Sequence, residues 1–230
     1  MIHRFNKYQV ATFIAALFHI IGFFGILYEH QGFFVKATVF NLLLSFLLLI
    51  WTQKDRNNWF ILFFLATFFV GFGVEVVGVN TTVLFGEYKY GNILGPEILH
   101  VPVIIGINWF VIIYCCGISM HTLLVRAINR MTENTGKKPL TLKSLSVIID
   151  GATIAVFFDW VMEPVAIKLG FWQWRVGGAV PGYNYFCWLL VSMALLAIFH
   201  FCKFNKQNNF AVNLLLIQLM FFLLLRTLLK

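Results

Sequence analysis

Long apolar runs separated by short polar segments dominate this chain. Seven runs approach the roughly 20 residues that a helix needs to cross the hydrocarbon of a bilayer. Their approximate limits are residues 10–28, 33–51, 59–80, 101–120, 143–163, 185–203 and 210–228. The runs are continuous rather than alternating, which favours helices over the strands of a membrane barrel. The pattern therefore predicts an all-α, polytopic integral membrane helical bundle, with residues 1–230 as a single transmembrane domain.

Composition and charge agree with a membrane location. The 230 residues are 60% hydrophobic and only 11% charged, whereas soluble domains carry about 25% charged residues. The net charge of +8 follows the loops, so we exclude nucleic acid as a partner. Eleven of the 17 Lys and Arg residues lie at one set of span ends, namely Arg4, Lys7, Lys54, Arg56, Arg126, Arg130, Lys137, Lys138, Lys143, Lys203 and Lys206. Because cytoplasmic loops are rich in Lys and Arg, we predict a cytoplasmic N-terminus and an external C-terminus in a bacterial inner membrane.

Two segments of the chain echo one another. Glu75 precedes FGEYKY at residues 85–90, and Asp159 precedes LGFWQW at residues 169–174 with the same spacing. Further along, Val-Pro followed by Asn occurs at 101–108 and again, more closely spaced, at 180–184. The predicted helix pairs three–four and five–six are therefore expected to be parallel internal repeats, with Glu75 opposite Asp159.

Four acidic residues fall inside or at the ends of apolar runs: Glu75, Asp150, Asp159 and Glu163. A carboxylate in such a position is costly unless it is paired, hydrated or protonated, and it is usually functional. Asp159 and Glu163 are four residues apart and share one helical face, and Pro164 is expected to end that helix. Two neighbouring carboxyl groups supply a proton donor and a base in one site. We predict catalytic roles for these acids and for Glu87 in the following loop.

Aromatic and amide side chains gather in the same outer loops and span ends. The face of an aromatic ring stabilises a cation through its quadrupole. The predicted substrate-binding residues are Tyr88, Tyr90, Asn108, Trp109, Trp172, Trp174 and Asn184. Arg175 is expected to contact a lipid headgroup or Glu163.

The sequence lacks the motifs that several classes of cofactor require. The six His residues are scattered, so the clustered ligands of an iron-dependent membrane hydroxylase are missing. The last run has no Lys for a retinal Schiff base. Gly71, Gly73 and Gly78 lie in an apolar helix rather than after a strand, which indicates helix packing and not a dinucleotide loop. Ordinary buried thiols are expected at Cys115, Cys116, Cys187 and Cys202. We predict no cofactor and no metal.

Two stretches carry a resemblance to a known family. The first is EVVGVNTTVLFGEYKYGNILGPEILHVPVIIGINWFVIIY, from Glu75 to Tyr114. The second, from Asp159 to Trp188, contains DWVMEPVAIKLGFWQW and VPGYNYFCW. Both resemble the membrane carotenoid biosynthesis proteins, which include CruF-type carotenoid 1,2-hydratases and bisanhydrobacterioruberin hydratases.

The resemblance implies cofactor-independent addition of water to the terminal double bond of an acyclic carotenoid. In that chemistry Asp159 or Glu75 would donate the proton, and Glu163 would orient water. The cation-stabilising walls would be Trp172, Tyr88 and Trp174. A lycopene-type cyclase shares the protonation step and is the first alternative; a small transporter or channel lined by acids is the second. The expected partners are an acyclic carotenoid and membrane lipid, with other carotenoid enzymes as candidates.

Overall fold

The computed structural model describes residues 6–29, 31–135, 140–175 and 179–229. Its α-helices are α1 (Lys7–Phe24), α2 (Gln31–Lys36), α3 (Thr38–Thr52), α4 (Asn58–Thr81), α5 (Ile104–Thr135), α6 (Leu140–Lys168), α7 (Gly182–Phe201) and α8 (Asn209–Leu228), and a π-helical turn, Gly25–Glu29, follows α1. The strands are β1 (Tyr88–Tyr90), β2 (Glu97–Ile98), β3 (Val101–Pro102) and β4 (Trp172–Trp174). They form two antiparallel pairs, β1 with β4 and β2 with β3. Arg4, Lys137 and Lys138, which entered the charge argument, lie outside the described residues.

Within those residues, six helices are long and apolar enough to cross a membrane. They are Lys7–Tyr28, Asn58–Thr81, Ile104–Ile128, Leu145–Lys168, Gly182–Phe201 and Asn209–Leu228. The predicted span 33–51 is instead divided between α2 and α3 at Ala37, although Ala37 keeps helical backbone angles. At 15 residues, α3 alone measures about 22 Å, which is less than the roughly 30 Å of hydrocarbon. The all-α membrane bundle is confirmed. Of the seven predicted spans, the second differs, because its longer helix, α3, is too short to cross the membrane alone.

Helix α5 lies at the centre of the bundle, where it contacts α3, α4, α6, α7 and α8. Its residues 109–116 are at most 1% exposed. The outer helices present large apolar side chains outwards, for example Phe13 (68% exposed), Phe40 (74%) and Phe201 (72%). Apolar surface on this scale is typical of a lipid-facing exterior rather than a water-facing one.

A polar cluster ties three helices together at one end of the bundle. The Tyr114 hydroxyl on α5 donates to Oε1 of Gln53, which follows α3, at 2.5 Å. Asn208, the cap of α8, donates from Nδ2 to the Tyr114 hydroxyl and to Oγ1 of Thr52, both at 3.1 Å. Its Oδ1 accepts the N–H of Phe210 at 3.1 Å, as an N-cap side chain does. Because these groups are buried, their mutual hydrogen bonds fix the ends of α3 and α8 against α5.

Pro164 does not end α6, contrary to the sequence expectation. The helix continues through it to Lys168. Proline has no N–H, so the carbonyl of Trp160, four residues earlier, loses its helical partner. Nη1 of Arg226 on α8 donates to that carbonyl at 2.9 Å, and the guanidinium carbon lies 4.0 Å from the centre of the Trp160 ring. A cation from a distant helix therefore satisfies the carbonyl that the proline frees.

Candidate active site

Two glycines of α4 make room for the groups that surround Glu75. Gly71 and Gly78 are buried on the same face of the helix, one turn before and nearly one turn after Glu75. A Cβ at Gly71 would lie 2.5 Å from Cβ of Trp109, and one at Gly78 would lie 3.0 Å from the Tyr88 hydroxyl oxygen. Real Cβ atoms essentially never show the first of these distances, and the second is tighter than nine in ten of their contacts. The missing side chains therefore let Trp109 and Tyr88 approach the helix beside the carboxyl group.

Both carboxyl oxygens of Glu75 accept hydrogen bonds. The hydroxyls of Tyr88 and Tyr90 donate to Oε2 at 2.5 and 2.8 Å, and Nε1 of Trp109 donates to Oε1 at 3.0 Å. These three donors hold the carboxyl group in one position. Burial and the negative charge of Glu75 raise the pKa of Tyr88 and of Tyr90 well above the usual 10.0. Both phenols therefore stay protonated and keep donating.

The second pair of acids lies on α6. Asp159 and Glu163 are one turn apart, and both are buried. Oε2 of Glu163 accepts Nε1 of Trp172 at 3.0 Å and Nε1 of Trp174 at 3.1 Å. Oδ2 of Asp159 accepts Nδ2 of Asn184 at 2.8 Å. The other oxygen, Oδ1, is buried and has no hydrogen-bond partner among the described residues. Asp159 thus keeps one buried oxygen that can interact with another molecule.

The two echoed segments meet in one antiparallel strand pair. Gly86 and Gly170, which hold equivalent positions in them, both have positive φ, at 116° and 73°. L-residues with a side chain rarely adopt such angles, so both turns favour glycine. Lys89 lies opposite Gln173 in the register, at the centre of β1 and β4. This pairing is what a two-fold axis between the segments would produce, while the wider repeat of helix pairs stays a prediction.

The echoed segments and the observed hydrogen bonds assign a different acid as the counterpart of Glu75. The first segment's aromatic pair, Tyr88 and Tyr90, binds Glu75. The equivalent pair in the second segment binds Glu163 and not Asp159, which the sequence placed opposite Glu75. In hydrogen bonding, Glu163 is therefore the counterpart of Glu75.

The predicted site residues converge on one small cavity. Ten of them line it: Glu75, Asp159, Glu163, Tyr88, Tyr90, Asn108, Trp109, Trp172, Trp174 and Asn184. The volume open to the centre of a water molecule is about 30 Å³, which is room for about two waters. Acids, hydrogen-bond donors, ring faces and space for water thus share one buried place.

Two predicted catalytic residues, Glu87 and Asp150, lie outside this cavity. Glu87 is partly exposed, with 40% of its side chain accessible, and its Oε1 accepts Nη1 of Arg175 at 2.8 Å. Arg175 therefore pairs with Glu87 rather than with Glu163, because the pairing of β1 with β4 brings the two loop residues together. Asp150 is exposed on α6, nine residues before Asp159, which is about 13 Å along the helix. Neither acid can contact a molecule in the cavity.

The sequence reasoning missed four residues that line the cavity: Phe85, Ile105, Met162 and Trp188. Trp188 stacks on Trp109 with ring centres 4.0 Å apart and an interplanar angle of 15°. A signal for it was present, because Trp188 follows Pro181 at the same spacing as Trp109 follows Pro102. Phe85 opens the echoed segment FGEYKY, whereas Ile105 and Met162 are apolar residues in apolar stretches and carry no such signal.

The four Cys residues are free and buried, as expected of ordinary thiols. Sγ of Cys187 accepts the N–H of Phe85 at 3.4 Å. Across the described ranges, no group of three or more His, Cys, Asp or Glu side chains is placed to hold a metal ion. The expectation of a reaction without metal or cofactor stays a prediction.

Comparisons with known proteins agree with the resemblance seen in the sequence. The model of a family described as "Carotenoid biosynthesis protein" matches residues 29–230. A bisanhydrobacterioruberin hydratase from Haloarcula japonica is 27% identical over 201 residues, which cover 82% of this chain. The chain spans 64% of the length of that relative. No solved structure matches the chain.

Proposed function

We propose a function for this chain from one premise: it belongs to the carotenoid biosynthesis protein family. The reaction is the addition of water across the terminal double bond of an acyclic carotenoid, which gives a tertiary alcohol. One observation carries the proposal: three buried acids, aromatic rings and room for about two waters meet in a single cavity. The hydratase named among the relatives supports the same reaction.

Asp159 is the proton donor in this proposal. Its Oδ1 is buried without a partner among the described side chains, so a proton on that oxygen has no competing acceptor there. Glu75 is less suited, because both of its oxygens already accept hydrogen bonds. The Asp159 proton bonds to the CH carbon of the terminal alkene, using the π electrons. The disubstituted carbon is left as a tertiary cation.

The aromatic rings stabilise that cation. Trp172 and Trp174 hydrogen-bond to Glu163 through their ring edges, and both rings line the cavity. The stacked pair Trp109 and Trp188 adds a further indole face to the cavity wall. A cation over such a face gains about 0.5–2 kcal/mol, more where water is excluded. Glu75, held in place by its three donors, forms another wall of the cavity.

Water completes the reaction with the help of Glu163. The two tryptophan donors bind one carboxyl oxygen, Oε2, which fixes the group and leaves Oε1 to accept a hydrogen bond from water. The water oxygen bonds to the cationic carbon, and one of its protons passes to Glu163. Transfer of a proton from Glu163 back to Asp159, one helical turn away, restores the starting state. Substrate plus water equals product, and no electron acceptor is needed.

The two alternatives fit the arrangement less well. A cyclase would also protonate the end group but must exclude water from the cation; room for about two waters beside the acids favours hydration. A transporter would space its acids along the path of the ion. The three buried acids line a single cavity, and Asp150 is exposed, which favours catalysis.

The test is expression in a bacterial host that accumulates lycopene, followed by chromatography and mass spectrometry of the pigments. The wild-type chain should yield carotenoids with a tertiary hydroxyl at the end group. Asp159→Asn should abolish this product while the protein still accumulates in the membrane. Asp150→Asn changes an exposed acid of the same helix and should retain the activity.

Each other outcome contradicts part of the proposal. A ringed product would identify a cyclase, and unchanged lycopene with well-expressed protein would exclude action on this substrate. Undiminished activity of Asp159→Asn would remove Asp159 as the proton donor.

A further inference from the structure

The acid cavity is too small to hold a carotenoid end group. Its volume open to the centre of a water molecule is about 30 Å³, which suits about two waters. A substrate carbon can therefore reach Asp159 only through space that adjoins this cavity. A second internal cavity does adjoin it, and Ile105, Asn108, Met162 and Trp172 line both.

This second cavity leads towards the lipid-facing surface. Its volume on the same measure is about 60 Å³, and Phe158, Phe171 and Phe222 form part of its wall. Two much larger grooves lie beyond it, of about 520 and 460 Å³. Phe221 lines the inner cavity and both grooves. The inner cavity therefore adjoins the acid cavity on one side and both grooves on the other, with Phe221 at the junction with the grooves.

The grooves are apolar and open between exposed residues of α1, α3 and α8. Ile20, Phe40 and Met220 on those helices are 54%, 74% and 55% exposed, which is the surface that faces lipid in a membrane protein. Gly22 lines one groove, and a Cβ there would meet Phe221 only at 3.9 Å. The groove thus has free space beside the junction residue.

The polar groups at the junction are directed at one another. Nδ1 of His19 donates to the carbonyl of Ala15 at 2.7 Å, so Nε2 is the accepting nitrogen. Nδ2 of Asn41 donates to that Nε2 at 3.3 Å. Both ring nitrogens of His19 are thus engaged within the protein. Oδ1 of Asn41 is buried and has no hydrogen-bond partner among the described residues, so one polar atom borders the otherwise apolar passage.

We propose that the inner cavity and the grooves between α1, α3 and α8 form a binding site for the polyene chain, through which the substrate reaches the acids directly from the bilayer. The proposal rests on the proposed function for the identity of the substrate. A conjugated polyene is long, thin, apolar and dissolved in hydrocarbon. The two grooves are apolar and open to hydrocarbon, and the inner cavity adjoins both of them and the acid cavity. The end group displaces Met162, a flexible side chain at the inner neck, while the chain follows the groove past Phe221.

The test fills the groove and leaves the acids intact. Gly22→Trp places a large ring in the groove beside Phe221. Gly73→Trp is the matched control, because Gly73 lies on α4 outside these spaces and has no atom within 4 Å of an added Cβ. Both are expressed in the lycopene-accumulating host, alone and combined with Asp159→Asn. The readouts are hydroxylated pigment per protein in the active background and lycopene retained by the purified protein in the Asp159→Asn background.

Gly22→Trp should lower both readouts at least about tenfold, the loss expected when about two methylene-sized contacts are removed. Gly73→Trp should change neither. Equal values for the two variants would contradict the groove as the binding site of the polyene, and ordinary lipid chains would then be its occupants. Retained lycopene that Gly22→Trp removes, without any product in the active background, would support the groove and contradict the proposed reaction. If no protein, wild type included, retains lycopene or forms product, both the groove and the proposed reaction are contradicted.

Discussion

Gly71→Ala tests whether the close approach of Trp109 to α4 is needed for activity. The added Cβ would lie 2.5 Å from Cβ and Cγ of Trp109, where ordinary contacts begin at 3.4 Å. The indole must therefore retreat by about 1 Å. Its Nε1 is now 3.0 Å from Oε1 of Glu75, so the same shift stretches this bond beyond hydrogen-bonding distance.

The expected loss follows from those contacts. A hydrogen bond contributes about 0.5–1.5 kcal/mol, and a shift of about 1 Å in a positioning group costs up to about a hundredfold in rate. We expect Gly71→Ala to lower hydroxylated pigment per protein by about ten- to a hundredfold. The thermal midpoint of the purified protein should also fall, because Trp109 loses part of its stacking with Trp188.

Gly73→Ala is the control for the same substitution in the same helix. Nothing lies within 4 Å of a Cβ at Gly73, and replacing glycine by alanine in a helix stabilises it by about 0.5–1 kcal/mol. This variant should match or exceed the wild type in thermal midpoint and equal it in activity. If the two alanine variants behave alike in both assays, the packing of Trp109 does not position Glu75.

Three further substitutions probe other parts of the arrangement. Tyr88→Phe removes the 2.5 Å bond to Glu75 and should lower product formation at least about tenfold. Because the pKa of Tyr88 is raised above 10.0, its contribution to stability is complete below pH 10 and declines above it, so the melting difference between wild type and Tyr88→Phe should shrink as pH rises past 10. Gly91→Ala puts a Cβ 2.2 Å from the carbonyl oxygen of Gly170; it should separate β1 from β4 and lower both melting temperature and activity. Tyr114→Phe should lower the stability by about 1–3 kcal/mol, because the buried Gln53 and Asn208 both lose the hydroxyl as a partner, with product formation per folded protein unchanged.

The sequence predicts the bundle well because run length and apolarity are local properties of a membrane helix. It fails where the outcome depends on a distant partner. Pro164 is expected to end a helix, and only Arg226, far along the chain, makes its continuation possible. The interruption at Ala37 has no local signal, since neither glycine nor proline occurs there.

The candidate site likewise combines features that are local in the sequence with features that depend on distant contacts. Acids in apolar runs are costly wherever they point, so Glu75, Asp159 and Glu163 stand out in the sequence alone. Which donors each acid receives depends on strand register. Trp172 and Trp174 donate to Glu163, one turn of α6 beyond the Asp159 that the repeat placed opposite Glu75. The sequence predicts a catalytic role for Glu87 because its loop follows Glu75 closely. Its ion pair with Arg175 instead holds it at the surface.

The source of the new oxygen and hydrogen in the product tests the central claim most directly. Membranes containing the wild-type chain are incubated with lycopene in H₂¹⁸O and separately in D₂O, and the product is analysed by mass spectrometry. Acid-catalysed hydration predicts one ¹⁸O and, in D₂O, one carbon-bound deuterium for each hydrated end group. A hydroxyl that carries no ¹⁸O, or a product without carbon-bound deuterium, would contradict protonation followed by capture of water.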